Sequence, residues 1–306
     1  MEHLLFNYTH CDVFTDEQMQ GNSLTVFFLD NNPTQYDNKT LLRITREMKH
    51  FESIFLTVLP KINYGLEDIT NITVPARIFA CSGELDFAGH PLLGAASSIH
   101  DKYFSEFTKI KVRFELNHSR IVSVDVNKSK DIYQATMSQG KSEFLGIIDD
   151  MKQQIELLSS LNLSLEDYDS KYPMEVVSTG LKYLIVPVKN IAILSKAKIV
   201  NDDFKILLEK HNAEFIYLVD LKTKTARTWE NDGSSEDAAT GSAAGPFGAY
   251  LVKYGLEKAD EIIKINQGEF MGRVSKLLVK VTNNFEDIMV AGGVCMLGDG
   301  CIKLAN

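Results

Sequence analysis

The sequence predicts an α+β protein of two pseudo-symmetric domains, each a curved mixed β-sheet or barrel wrapped around a central α-helix. Three observations lead there. A short pattern is written twice, half a chain apart; the stretch after each copy is small or apolar on every side; and most other hydrophobic runs are short and strand-like.

In the first copy, Arg77-Ile78-Phe79 leads through a loop to Glu84-Leu85-Asp86-Phe87-Ala88-Gly89. In the second, Arg227-Thr228-Trp229 leads to Glu236-Asp237-Ala238-Ala239-Thr240-Gly241. Each glycine follows its glutamate by five residues, and the copies are 152 residues apart in a chain of 306, as a duplication would leave them. The first glycine is followed by Leu92-Leu93-Gly94-Ala95-Ala96-Ser97-Ser98-Ile99 and the second by Ser242-Ala243-Ala244-Gly245. A helix without a polar face is buried, so each is expected inside a sheet.

Strand-like segments are Leu24 to Leu29, Ser53 to Leu59, Thr73 to Ala80 and Ile110 to Leu116, then Glu175 to Ser178, Tyr183 to Pro187, Phe215 to Asp220 and Leu277 to Val281. Thr40 to Lys49 sets Leu41, Ile44 and Met48 on one stripe, and Asp149 to Leu161 is similarly amphipathic. These two helices are expected on the outside. The polar run Asn127-Lys128-Ser129-Lys130-Asp131 is expected to separate an N-terminal half, 1–127, from a C-terminal half, 128–289.

Composition narrows the function. Hydrophobic residues at 44% and charged residues at 24% are ordinary globular values. A net charge of −9 opposes nucleic acid and anionic lipid as partners and leaves small molecules. No run is long and apolar enough to span a membrane, and the first residues lack a secretory pattern, so a cytoplasmic location is expected. Cys11, Cys81, Cys295 and Cys301 are scattered without Cys-x-x-Cys or Cys/His spacing, which predicts no metal and no disulfide framework; all four read as small buried residues. Gly292-Gly293 and Gly298-Asp299-Gly300 lack the strand-to-helix setting of a nucleotide fingerprint, so no cofactor is expected.

Glu52 alternates with Ile54, Leu56 and Val58, which puts a carboxylate on an apolar strand face. Desolvation there suits a general acid/base, although a glutamate at an exposed strand mouth fits the same pattern. Gly89-His90-Pro91 opens the first central helix, whose N-terminal N–H groups favour an anion such as a substrate carboxylate, with His90 at its mouth or in a purely structural place. Asp237 and Gly241-Ser242 take the corresponding positions in the second copy; Asp237 alone could be a loop carboxylate, and Ser242 an N-cap. A pseudo-twofold would aim both helix N-termini into one interdomain cleft.

These residues also carry a resemblance. Gly21-Asn22, Phe51-Glu52-Ser53-Ile54-Phe55-Leu56, Ala88 to Ala96 around Gly89-His90-Pro91, Glu236 to Ala243, and Gln267-Gly268-Glu269-Phe270-Met271-Gly272-Arg273, in that order, resemble the PhzF-like (phenazine biosynthesis-like) family of the diaminopimelate epimerase-like fold along nearly the whole chain. The resemblance implies that Glu52 transfers the proton, that His90 and Asp237 hold the substrate, and that Gly89, Gly241 and Ser242 line its pocket. It further implies that residues 290–306 return to the first domain and that the protein is a homodimer. Ala238 and Val274 stand where the family commonly has proline. Related racemases use a thiol at each glycine loop, and neither loop here has one. The expected activity is a cofactor-independent isomerase moving a proton on a small carboxylate-bearing metabolite. The alternatives are a catalytically idle carboxylate-binding or interaction protein of the same fold and, less compatibly with the loops, hydrolysis by Ser242 with His90.

Overall fold

The computed structural model describes residues 3–58, 72–130 and 132–305, which fall into two compact units, 1–137 with 291–306 and 138–290. The first unit is built from β1 (His3–Val13), β2 (Asn22–Leu29), α1 (Asn38–Met48), β3 (Glu52–Thr57), β4 (Ile72–Ala80), β5 (Gly83–Leu85), α2 (Gly89–Tyr103), β6 (Lys109–Glu115), β7 (Ile121–Ser129) and β8 (Ile132–Ser138). The second holds β9 (Glu143–Ile148), α3 (Met151–Ser160), β10 (Met174–Ser178), β11 (Lys182–Val188), α4 (Ile191–Lys196), α5 (Phe204–Lys210), β12 (Phe215–Asp220), β13 (Thr225–Arg227), α6 (Gly241–Lys253), β14 (Ile262–Gln267) and β15 (Ser275–Val281). The long last strand, β16 (Ile288–Ala305), leaves the second unit and ends in the first.

The two units use one wiring plan. In the first, β2–β3 is parallel, β3–β4 antiparallel, β4–β6 parallel and β6–β7 antiparallel. In the second, β11–β12 is parallel, β12–β13 antiparallel, β13–β14 parallel and β14–β15 antiparallel. Parallel neighbours need a crossover, and helices supply it: α1 and α2 in the first unit, α4 with α5 and then α6 in the second. The first sheet closes on itself because β16 neighbours β8 and also pairs with β1, from Val294 against Val13 to Ala305 against His3.

Strands β2, β3, β11 and β12 are buried almost throughout and so are covered on both faces, whereas β6, β7, β14 and β15 alternate and bury one face. α2 is buried from Gly89 to His100, and α6 is buried from Ala243 to Leu251. They lie close to their sheets: a Cβ on Gly94 would overlap Leu24, and one on Gly248 would meet Val279. On the other face of the first sheet, Leu41 and Ile44 of α1 join Phe6, Phe27, Leu29, Phe55 and Phe79, with Phe27 stacked on Phe55 at 4.8 Å. In the second unit, Leu157 and Leu158 of α3, Leu194 of α4 and Leu207 and Leu208 of α5 cover Val176, Leu184, Val186 and Leu218.

Each repeat also contains a buried ion pair between its arginine and its glutamate. Arg77 Nε and Nη2 donate to the two carboxylate oxygens of Glu84, both at 2.7 Å, while Nη1 donates to the carbonyls of Pro33 and Tyr36. Arg227 repeats the fork on Glu236 at 2.8 and 2.6 Å, with Nη1 on the carbonyls of Leu194, Ser195 and Ala197. The guanidinium lies 5.0 Å from the ring centre of Phe79 in one unit and 4.6 Å from that of Trp229 in the other. Arginine suits this place because its planar fork serves a carboxylate and loop carbonyls together.

Several expectations need correction. The chain passes between units at Met137/Ser138, not at Asn127, because Asn127 to Ser129 pair with Gln134 to Ile132 in the β7–β8 hairpin. Cys81 and Cys301 are exposed; Cys81 sits in the turn after β4, and Cys301 takes an outward position on β16 opposite exposed Asn7. The segment around α4 and α5, not anticipated from the sequence, supplies much of the second unit's outer layer. Leu59 and Asp131, the ends of two expected features, lie outside the described residues.

Breaking one clasp should be worse than removing it. Arg77→Met leaves Glu84 buried and uncompensated and is expected to destabilise the first unit by about 3 kcal/mol in urea unfolding, with part recovered in Arg77→Met/Glu84→Gln. Equal midpoints for the single variant and the wild type would show that the clasp is dispensable.

Candidate active site

In the first unit Glu52 is the first residue of β3, registered between Leu24 of β2 and Ala80 of β4. Leu24 in turn pairs with Cys11, and Gly94 of α2 packs against both side chains, so Glu52 shares the face that carries the central helix. Its side chain is 14% exposed, and Oε2 is 3.3 Å from Nε2 of His90, itself 6% exposed. Gly89 and His90 open α2, whose N-cap Ala88 offers no side-chain acceptor. Pro91, third in the helix, has no N–H to satisfy.

Burial, and after it the charge of His50, push the His90 imidazole from its ordinary 6.5 down to about 3. His90 is therefore neutral at physiological pH, and its contact with Glu52 is that of an uncharged imidazole beside a carboxyl group rather than an ion pair. His50 is placed by Thr25, whose hydroxyl lies 2.8 Å from Nδ1, and it stacks on His10 at 4.5 Å.

The second unit holds Asp237, Gly241 and Ser242. Asp237 follows clasped Glu236, and its N–H donates to the Thr228 carbonyl at 3.1 Å. Its carboxylate accepts from the Thr240 hydroxyl at 2.5 Å and the Ala239 N–H at 3.3 Å. Thr240, not Ser242, is the N-cap of α6, and it makes no side-chain cap. Both central helices thus begin with first-turn N–H groups that no N-cap side chain occupies, the arrangement that favours an anion. The Gly241 carbonyl accepts from Gln139, and the Ser242 hydroxyl is paired with that of Tyr183 at 2.7 Å. A tyrosine hydroxyl is not the base that a hydrolytic serine needs. Pro246 supplies no N–H for the Ser242 carbonyl four residues earlier.

Sequence reasoning did not single out Thr240, Gln267 or His50. Gln267 lay inside a quoted motif, but nothing in sequence spacing tells that its amide meets the Asp237 loop. Among the described residues, no group of three or more His, Cys, Asp or Glu side chains is arranged to hold a metal ion, and no helix is long and apolar enough to cross a membrane.

Known proteins share this fold. The family described as phenazine biosynthesis-like protein matches residues 11–300. A trans-2,3-dihydro-3-hydroxyanthranilate isomerase from Pseudomonas chlororaphis is 30% identical over 98% of this chain and 100% of its own. The solved structure of a predicted epimerase from Pseudomonas aeruginosa has a TM-score of 0.86 at 37% identity, covering 98% of this chain and 100% of that one. A hydroxyproline epimerase from Agrobacterium vitis, at 12% identity over 99% of this chain and 93% of its own with a TM-score of 0.58, shares the fold.

The depressed His90 pKa makes stability depend on pH. Between about 6.5 and about 3 the unfolded chain holds a proton on His90 that the folded chain lacks, so this contribution is intact above pH 6.5 and lost as pH falls towards 3. Urea midpoints at pH 7 and 4.5 should therefore differ less for His90→Gln than for the wild type. An unchanged difference would mean that His90 is protonated in the folded protein.

Proposed function

The chain is an isomerase belonging to the phenazine biosynthesis-like family, and from that premise we propose that it moves a proton on a small carboxylate-bearing metabolite, with Glu52 as general acid/base. The observation that carries this reading is Glu52 beside a buried, neutral His90 at the uncapped start of α2. A carboxylate with 14% exposure is largely shielded from water, and the imidazole beside it is neutral, a setting in which it can take a proton from carbon and give it back. Neutral His90 has one N–H with which to hold a substrate acceptor, or a lone pair with which to receive a donor, without adding a charge.

The reaction follows from one base. Glu52 removes a proton from a carbon made acidic by neighbouring unsaturation, the electron pair shifts along the π-system, and the protonated Glu52 returns the proton to another carbon on the same face. Atoms balance and no redox partner is required. The substrate carboxylate is held by a central helix start, with Asp237 receiving a donor such as an amino or hydroxyl group. The Pseudomonas chlororaphis relative's substrate, trans-2,3-dihydro-3-hydroxyanthranilate, has this chemistry and is the first compound to try. The enzyme is further proposed to work in the cytoplasm as a homodimer, a state that a mass measurement in solution checks.

Incubation with trans-2,3-dihydro-3-hydroxyanthranilate and a panel of unsaturated and amino carboxylic acids in deuterated water should give carbon-bound deuterium or its suppression by internal return. Glu52→Gln should lower turnover about 10²- to 10⁴-fold with ligand affinity little changed. Wild-type turnover in Glu52→Gln would remove Glu52 from the mechanism. A wild-type protein that binds these acids but isomerises none would support the idle carboxylate-binding alternative for this substrate class.

A further inference from the structure

Gln267 is fully buried, at 0% exposure, at the end of β14, where Gly268 follows with φ +77°. A side chain on Gly268 would overlap the carbonyls of Arg273 and Ala238, so the turn that carries Gln267 lies directly against the Asp237 loop. A buried amide has two donor hydrogens and two acceptor lone pairs to satisfy, and Gln267 satisfies all four within this unit. Its Oε1 accepts from the Thr240 N–H at 3.1 Å and the Tyr217 hydroxyl at 2.9 Å. Its Nε2 donates to the Asp237 carbonyl at 2.7 Å and to Thr240 Oγ1 at 2.9 Å.

Two of these partners cannot change role. The Thr240 N–H can only donate and the Asp237 carbonyl can only accept, which fixes the orientation of the amide. With the amide fixed, its second N–H must point at the Thr240 hydroxyl oxygen. That hydroxyl, already accepting from Gln267, places its own proton on Asp237 Oδ2, 2.5 Å away. The N-cap hydroxyl of α6 is therefore spent on Asp237 instead of on the helix.

We infer that Gln267 is a positioning residue: through the one-way chain Gln267 N–H to Thr240 O–H to the Asp237 carboxylate, it holds that carboxylate in one rotamer as an acceptor aligned for substrate. Asp237 is further fixed at both main-chain groups, its N–H on Thr228 and its C=O on Gln267. The chain thus transmits the rigidity of β13 and β14 to a side chain in the loop between β13 and α6. The importance of this for turnover rests on the proposed role of Asp237; the hydrogen-bond chain itself does not.

Thr240→Val removes the relay hydroxyl at nearly constant volume, and Thr240→Ser restores it. With trans-2,3-dihydro-3-hydroxyanthranilate as the probe, Thr240→Val should lower kcat/KM about 10- to 100-fold, mainly through KM, and Thr240→Ser should recover most of it. Isotope-labelled protein provides a readout that needs no substrate. In the wild type both Gln267 amide protons should exchange slowly with water, and in Thr240→Val the proton facing residue 240 and the Asp237 carboxyl carbon should shift, returning in Thr240→Ser. The inference is overturned if the Gln267 protons exchange freely in the wild type, or if the Asp237 carboxyl signal is the same in Thr240→Val. Equal loss of turnover in both variants would likewise overturn it. A wild type inactive on the probe, with the predicted signals present, would count against the functional reading and leave the hydrogen-bond chain supported.

Discussion

An arginine fork buried against a carboxylate sets the frame from which both loops are presented. Arg77 stands on β4 and Glu84 on the short β5; Arg227 ends β13 and Glu236 comes nine residues later. In each unit the third guanidinium nitrogen binds carbonyls at an outer helical segment: Pro33 and Tyr36 before α1, or Leu194, Ser195 and Ala197 at the end of α4. One side chain therefore ties the strand, the loop leading to the central helix and the outer layer together. Arg77 holds the Glu84 carboxyl below the ordinary carboxylate range, which is the electrostatic sign of a pair that stays ionised although it is buried. Five residues after each clasped glutamate the central helix begins, so a fixed glutamate implies a fixed helix start.

The repeat was legible because it is written in residues whose geometry leaves little freedom: arginine, glutamate, glycine and a run of small side chains. The eight strand-like segments and two amphipathic helices read from the sequence all correspond to elements of the structure, with ends shifted by a few residues. The chain crossing was misplaced because Asn127 to Ser129 are polar for another reason, being part of an exposed hairpin. β1 escaped notice, and β16 was expected only from the family resemblance, not from its own pattern. β1 mixes His3, Asn7, Thr9, His10 and Asp12 among its apolar residues, and β16 contains four glycines between Gly292 and Gly300, so neither shows a clean period of two. Pairing between strands nearly 300 residues apart is tertiary information that no local window contains.

The candidate site was half legible for a related reason. Glu52 stood out as a carboxylate where an apolar residue was due, and His90 and Asp237 stood out by their place in the repeat. Gln267 and Thr240 did not, since a polar residue at the end of a strand or before a helix has many ordinary explanations. Only their mutual hydrogen bonds reveal what they do. His50, likewise, is connected to the site through Thr25 and its effect on His90, and a lysine-histidine pair after a helix gives no hint of either.

The duplicated wiring allows one more step, because register assigns equivalent positions without reference to how the units are arranged. Arg77 pairs with Phe55 on β3, and Arg227 pairs with Leu218 on β12. Counting back three residues from each, Glu52 is equivalent to Phe215. Phe215 stacks on Tyr183, which is equivalent to Leu24 across the parallel neighbour. The loop and helix-start positions have diverged as well: Leu85 in the first copy corresponds to Asp237 in the second, and His90 corresponds to Ser242. An acid/base able to deprotonate from two opposed faces would keep a titrating group at both copies of one position. Here the first copy keeps a carboxylate at the head of its strand, while the second has an aromatic ring there and carries its carboxylate in the loop, locked by Thr240 and Gln267. With unlike groups at the equivalent positions, the two copies are not interchangeable, and that asymmetry fits the proposed proton transfer on a single face better than exchange between two.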